Sequence, residues 1–158
     1  MAAVPLTAAL RGAALASLAT LALALAGGCG ERDTPEAQVR AVVAEAKEAA
    51  EARDASRLFD LIDPGYRDPR GYGAEELKRY LRGWLIAHQS VRLLTRVDSV
   101  EFPTEDLARL SVTVGMVGRE AGAEAWDLAA DVYDIDVTLA REDGEWRVTR
   151  AEWRRGGG

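Results

Sequence analysis

The hydrophobic period of this chain changes once, near residue 90, and that change dictates its fold class. Before it, apolar residues recur at helical spacing. Val39, Val42, Val43 and Ala46 fall at i, i+3, i+4 and i+7, and Ala49 and Ala50 continue the stripe. Glu45, Lys47 and Glu48 are assigned to the opposite, solvated side. Beyond residue 90, apolar and polar residues alternate. Leu110, Val112, Val114 and Met116 are interleaved with Ser111, Thr113 and Gly115, and Tyr133, Ile135, Val137 and Leu139 with Asp134, Asp136 and Thr138. Helices first and consecutive strands second predict an α+β domain: a curved antiparallel sheet of about four strands packed on three N-terminal helices.

The punctuation fits that plan. Thr34 is a cap, Pro35 takes the first helical position, and the first helix runs to about residue 53. A short second helix over residues 55–62 buries Leu58, Phe59, Leu61 and Ile62, and Asp63-Pro64-Gly65 ends it. Residues 66–73 read as an irregular loop with a short extended piece. A third helix over 74–88 presents Leu77, Leu81, Trp84 and Leu85 to the core. Strands are expected at 91–102, 107–117, 128–140 and 145–153, with Asp143-Gly144 as a tight hairpin. Trp126, Leu128, Ala130 and Val132 lie one phase away from Tyr133 onward, which predicts a bulge at Asp131–Tyr133. Residues 154–158 are expected to be a disordered tail.

The first 28 residues carry one charged side chain, Arg11, followed by an apolar run from Gly12 to Ala26. That run suits the core of an export signal and falls short of the ~20 residues of a membrane-spanning helix. It ends in Leu25-Ala26-Gly27-Gly28-Cys29, at the chain's one cysteine. This resembles the lipobox of bacterial lipoproteins, with Ala26 where Leu is usual. The resemblance implies cleavage between Gly28 and Cys29, removal of residues 1–28, and diacylglycerol on the Cys29 sulfur. Residues 29–34 then form a lipidated tether to the membrane, ahead of a domain at 35–153. With Gly30 rather than Asp after the cysteine, it also implies the periplasmic face of the outer membrane in a Gram-negative host.

The order of elements, the link Ala52-Arg53-Asp54-Ala55-Ser56-Arg57-Leu58-Phe59 and the closing Asp143-Gly144-Glu145-Trp146-Arg147-Val148 together resemble the nuclear transport factor 2-like (SnoaL-like) superfamily. The resemblance covers about residues 34–153. It implies a conical pocket between sheet and helices, used by isomerases, dehydratases and non-catalytic binding modules alike.

Composition narrows the chemistry. Twenty basic against 26 acidic residues, a net charge of −6, argue against nucleic acid as a partner. One Cys and one His leave no zinc-type ligand set, and no cofactor motif is present, so no metal or cofactor is expected. His88 is the one imidazole; it either points into the cone as a base or caps the third helix, and the capping role is preferred. Tyr80, Trp84, Tyr133 and, in a loop, Trp126 are the remaining candidate pocket residues. Asp134 and Asp136 project together from one strand, as acid/base pairs do, but their neighbours claim the buried face. Catalytic residues stay unassigned. The expectation is a lipid-anchored, non-catalytic module for a protein partner or a small apolar ligand. The alternatives are an isomerase or dehydratase using the cone and an immunity-type lipoprotein that blocks a toxin.

Overall fold

Proline without an amide hydrogen and a hydroxyl just ahead of it start α1 (Pro35–Glu51), where Thr34 Oγ1 accepts the Ala37 N–H at 3.2 Å. The computed structural model describes residues 34–120 and 129–156. Its contacts divide the chain into two units, Met1–Ala37 and Gln38–Gly158, and the fold below is that of the second. The leader, Cys29 and the tether through residue 33 lie outside the described residues. None of the described helices is long and apolar enough to cross a membrane.

The link from α1 to α2 (Ala55–Asp60) is a closed set of hydrogen bonds. Arg53 adopts a left-handed conformation (φ 57°), its N–H donating to Ala50 O at 3.0 Å while the Asp54 N–H reaches Ala49 O at 2.8 Å. This pair satisfies the last carbonyls of α1. Asp54 Oδ1 then accepts the Ser56 and Arg57 N–H groups at 3.1 and 3.2 Å and caps α2. The Arg53 guanidinium also donates to Leu85 O at 2.9 Å, tying this corner to α3 (Ala74–Ala87). Between α2 and α3 the loop makes two isolated bridges, Ile62 with Val148 and Arg67 with Gly73, which supply the short extended piece expected there.

The strands β1 (His88–Thr104), β2 (Leu107–Glu120), β3 (Ala129–Glu142) and β4 (Glu145–Arg155) form one antiparallel sheet in sequence order. Asp143 and Gly144 both take positive φ (51° and 83°), the geometry that a two-residue hairpin needs. Two expectations are corrected. No bulge lies at Asp131–Tyr133: β2 and β3 stay in unbroken register from Gly118–Ala129 to Leu107–Ala140. The out-of-phase Val132 is simply an outward-facing residue, 43% exposed. The register shifts fall instead at His88/Ser90, Val97/Ser99 and Glu101/Thr104 in β1 and at Thr138/Leu139 between β3 and β4. The second correction concerns the tail. β4 continues through Arg154 and Arg155, which pair with Asp136 and Asp131 at 3.1 and 2.7 Å, and the Gly156 N–H donates to Val132 O at 2.7 Å. β3 still offers ladder groups there, and two opposite-charge pairs hold the extension in place.

Two apolar clusters hold the helices to the inner face of the sheet. Val39, Ala108, Leu110, Val112, Leu139 and Trp146 form one, and Trp146 Nε1 donates to Gln38 Oε1 at 3.0 Å. Ile62, Tyr66, Ala74 and Leu77 form the other, under the α2–α3 loop.

Candidate functional site

Antiparallel register sets the rows of side chains that line the inner face. Val97, Val112, Ile135 and Trp153 make one row, and Thr95, Val114 and Tyr133 make the next. Leu93 and Met116 lie beyond it. α1, α2 and α3 cover these rows and enclose a cavity of about 420 Å³. That volume falls within the ~300–1,000 Å³ typical of small-molecule sites. At one end the cavity stops against buried Leu139. At the other it reaches the half-buried Leu93 and Thr95, the half-exposed Tyr80 and the Lys47 side chain.

The lining is almost wholly hydrocarbon and aromatic. Its polar side-chain atoms belong to Lys47, Thr95, Tyr80, Tyr133 and two indoles, and among the described residues neither a carboxylate nor an imidazole lines it. Among the described residues Lys47 is therefore its one charged lining residue. The ammonium lies 3.1 Å from Glu51, whose other oxygen accepts the Leu93 N–H at 2.8 Å. That backbone donor first, and Lys47 second, hold the Glu51 carboxyl below the usual carboxylate range.

One wall is braced from the α2–α3 loop. Asp68 is buried, and its Oδ1 accepts the Arg70 and Tyr72 N–H groups, both at 2.9 Å, while Oδ2 takes the Arg70 guanidinium at 3.1 Å. Burial alone would push the Asp68 carboxyl up; the Tyr72 N–H, the Arg70 side chain and the Arg70 N–H together outweigh it and hold the carboxyl low. So fixed, Arg70 lies 3.5 Å from the ring centre of Trp153, on the cavity wall. Tyr66, beneath the loop, donates to Ala151 O at 3.4 Å, and burial pushes its phenol up to about 12. It is a packed residue rather than a proton donor at neutral pH.

The candidates named from sequence separate cleanly. Tyr80, Trp84 and Tyr133 all line the cavity. His88 does not. It follows the last residue of α3, its ring stacks on Trp84 with centroids 4.3 Å apart, and Nδ1 lies 2.9 Å from Trp84 O. A carbonyl oxygen only accepts, so that nitrogen carries a proton and the imidazole serves as a cap. Asp134 and Asp136 occupy the outer face. Thr113 lies 3.5 Å from Asp134, and Asp136 takes Ser111 at 3.2 Å and Arg154 at 3.1 Å. Trp126, Gly28 and Cys29 lie outside the described residues. Among those described, no group of three or more His, Cys, Asp or Glu is placed to hold a metal ion. The sequence reading missed Lys47 by assigning it to the solvated side of α1. Its position four residues after Val43 and three before Ala50, both lining residues, is the signal that it shares their face.

The sequence matches no protein-family model and no curated protein. Solved structures do resemble it. A scytalone dehydratase-like protein from Novosphingobium aromaticivorans superposes with a TM-score of 0.69 at 16% identity, over 76% of this chain and 83% of that one. A dehydratase-like protein of the nuclear transport factor 2-like family from Streptomyces avermitilis gives 0.68 at 18%, over 80% and 99%. A ketosteroid isomerase-like protein from Erwinia carotovora gives 0.64 at 13%, over 77% and 96%. With a four-stranded antiparallel sheet wrapped by three helices around an apolar cavity, the chain has the nuclear transport factor 2-like cone fold.

Proposed function

We propose that this chain is a lipid-anchored envelope protein whose cone binds a small apolar ligand without chemically changing it. One observation carries the binding half of the reading: the cavity of about 420 Å³ is lined by hydrocarbon and aromatic surface. Burying a ligand there gains roughly 25 cal/mol for each Å² of apolar surface removed from water. General acid/base catalysis needs a group that exchanges protons near neutral pH. The described lining offers tyrosines and one ion-paired lysine in that role, while His88, whose Nδ1 lies against Trp84 O, is not among the lining residues. The anchoring half rests on Cys29 standing directly after an apolar leader.

A second reading, an isomerase- or dehydratase-type enzyme, is favoured by the names of the structural neighbours and by the Tyr80 and Tyr133 hydroxyls at the cavity. One preparation separates the two. Native mass spectrometry of the chain from residue 30 onward is expected to show a retained small molecule that leaves unchanged. Turnover of a panel of enolisable ketones or dehydratable alcohols would establish the enzyme instead. For the anchor, Cys29→Ser is expected to leave an unprocessed precursor that never gains lipid. Normal maturation of that variant into the membrane fraction would remove the lipoprotein half.

A further inference from the structure

The binding reading leaves open what kind of apolar molecule the cone takes, and the distribution of polar groups along the cavity narrows the choice. The described lining holds no anion and a single cation, Lys47. The ammonium has three N–H donors, of which Glu51 takes one at 3.1 Å. Glu51 does not depend on Lys47 alone, because the Leu93 N–H also donates to it at 2.8 Å. The Lys47 side chain is 32% exposed, so it stands where the cavity meets solvent. Three hydroxyl-bearing residues join it on the lining, Thr95, Tyr133 and Tyr80. At the far end Leu139 is fully buried and Ile135 and Val137 line the walls, so hydrocarbon meets only hydrocarbon there.

We infer that the cone takes a single-chain amphiphile with an anionic head group, its tail among the inner rows of β2 and β3 and its head on Lys47 at the mouth. This rests on the binding reading above. A wholly apolar ligand would leave the Lys47 donors to water. A cationic amphiphile would be opposed by Lys47, while the two oxygens of Glu51 already accept from the Leu93 N–H and from Lys47 itself. An anion complements the ammonium without displacing Glu51, since free donors remain.

The test holds the tail constant and varies the head. Dodecanoate, dodecanol and dodecyltrimethylammonium are titrated into the folded chain carrying a bound apolar fluorophore, and displacement gives three affinities. The expected order is anion, then alcohol, then cation, with the anion favoured over the alcohol about fivefold, the size of a half-exposed ion pair. Lys47→Met should reduce that ratio to near unity, and Lys47→Arg, which keeps the charge, should preserve it. Val114→Trp, which fills the cavity, should abolish displacement by all three and so show that binding occurs in the cone. Equal affinities in the wild-type chain, or a ratio that survives Lys47→Met, would overturn the head-group assignment while leaving the binding reading intact. Failure of the fluorophore and of every probe to bind would overturn both.

Discussion

The two ends of the cone are built from the same strands and the same alternation, yet one is solid and the other hollow. At the closed end Val39, Ala108 and Leu139 are fully buried, with Leu110 and Trp146 beside them. At the open end Thr95, Val114 and Tyr133 occupy equivalent inward positions and remain half-buried. The difference comes from the helix laid across them. The inner stripe of α1 begins with Val39, fully buried at the closed end, passes through Val42 and Val43, which border both the core cluster and the cavity, and shrinks to Ala46 and Ala50 on the cavity wall. Val39 packs into the core at the closed end and leaves no space there. Alanines at the same helical radius leave a gap the width of the missing side chains. A gradient of side-chain size along one stripe thus turns a core into a cavity without any change of secondary structure.

Substituting the same residue type at both ends tests this most severely. Leu139→Ala removes a fully buried side chain from the closed end and is expected to cost about 2–5 kcal/mol in urea unfolding. Leu81→Ala, on the cavity wall, should cost less than about half as much, because its side chain already borders open space. Equal losses would show that the open end is as tightly packed as the closed one.

The brace of the Trp153 wall gives the next largest effect. Asp68→Asn keeps the shape but replaces four charge-assisted hydrogen bonds by weaker ones, and should cost about 1.5–3 kcal/mol. The pH dependence has a definite sign. The Asp68 carboxyl is held below its ordinary range in the folded chain, as are those of Glu45, Glu51, Asp54 and Asp98. The unfolded chain therefore binds more protons in acid. The stability these groups supply is complete above about pH 5 and is lost as pH falls through the lowered folded values. Thermal melts from pH 7 to 3 should show that decline, with a shallower slope in Asp68→Asn.

Filling the hollow end sharpens the comparison from the other side. Ala46→Leu replaces a small lining residue of α1 with one that reaches toward the sheet. Probe affinity should fall at least about tenfold, or roughly 1.4 kcal/mol, while the folded state is unharmed because the added atoms enter free volume. A folded variant that binds as well as the parent would mean that the apolar probe sits elsewhere.

How much of this was legible in the sequence divides along the same line. The helix cap at Thr34, the strand phases of β2 and β3 and the Asp143-Gly144 turn all follow from local rules, and the structure has them in place. The Val-to-Ala gradient was equally visible, but only the sheet opposite gives it meaning. Lys47 escaped because its type outweighed its position: a long cationic side chain can follow an apolar face and still bring its charge to water. The phase change at Val132 predicts a bulge only if every apolar residue faces inward, and burial depends on which face the helices cover, not on the residue alone. Asp68 gave no signal, since its three partners are two backbone amides and a neighbouring arginine that meet only once the loop has folded.

The smallest effect concerns α3, which carries Tyr80 and Trp84 onto the cavity on either side of Gly83. Gly83 is exposed in the helix interior, and a Cβ added there meets nothing within 4 Å. Gly83→Ala should therefore stabilise the chain by about 0.5–1 kcal/mol, chiefly by restricting the unfolded state. No lining side chain changes, so equilibrium affinity for the apolar probe should be unaltered within error. The rates carry the information. If the open end admits ligand by bending α3 at its one glycine, both association and dissociation slow together in stopped-flow traces. If the mouth between Lys47 and Tyr80 is already wide enough, both rates match the parent, and the hollow end is a fixed feature of the fold, as rigid as the filled one.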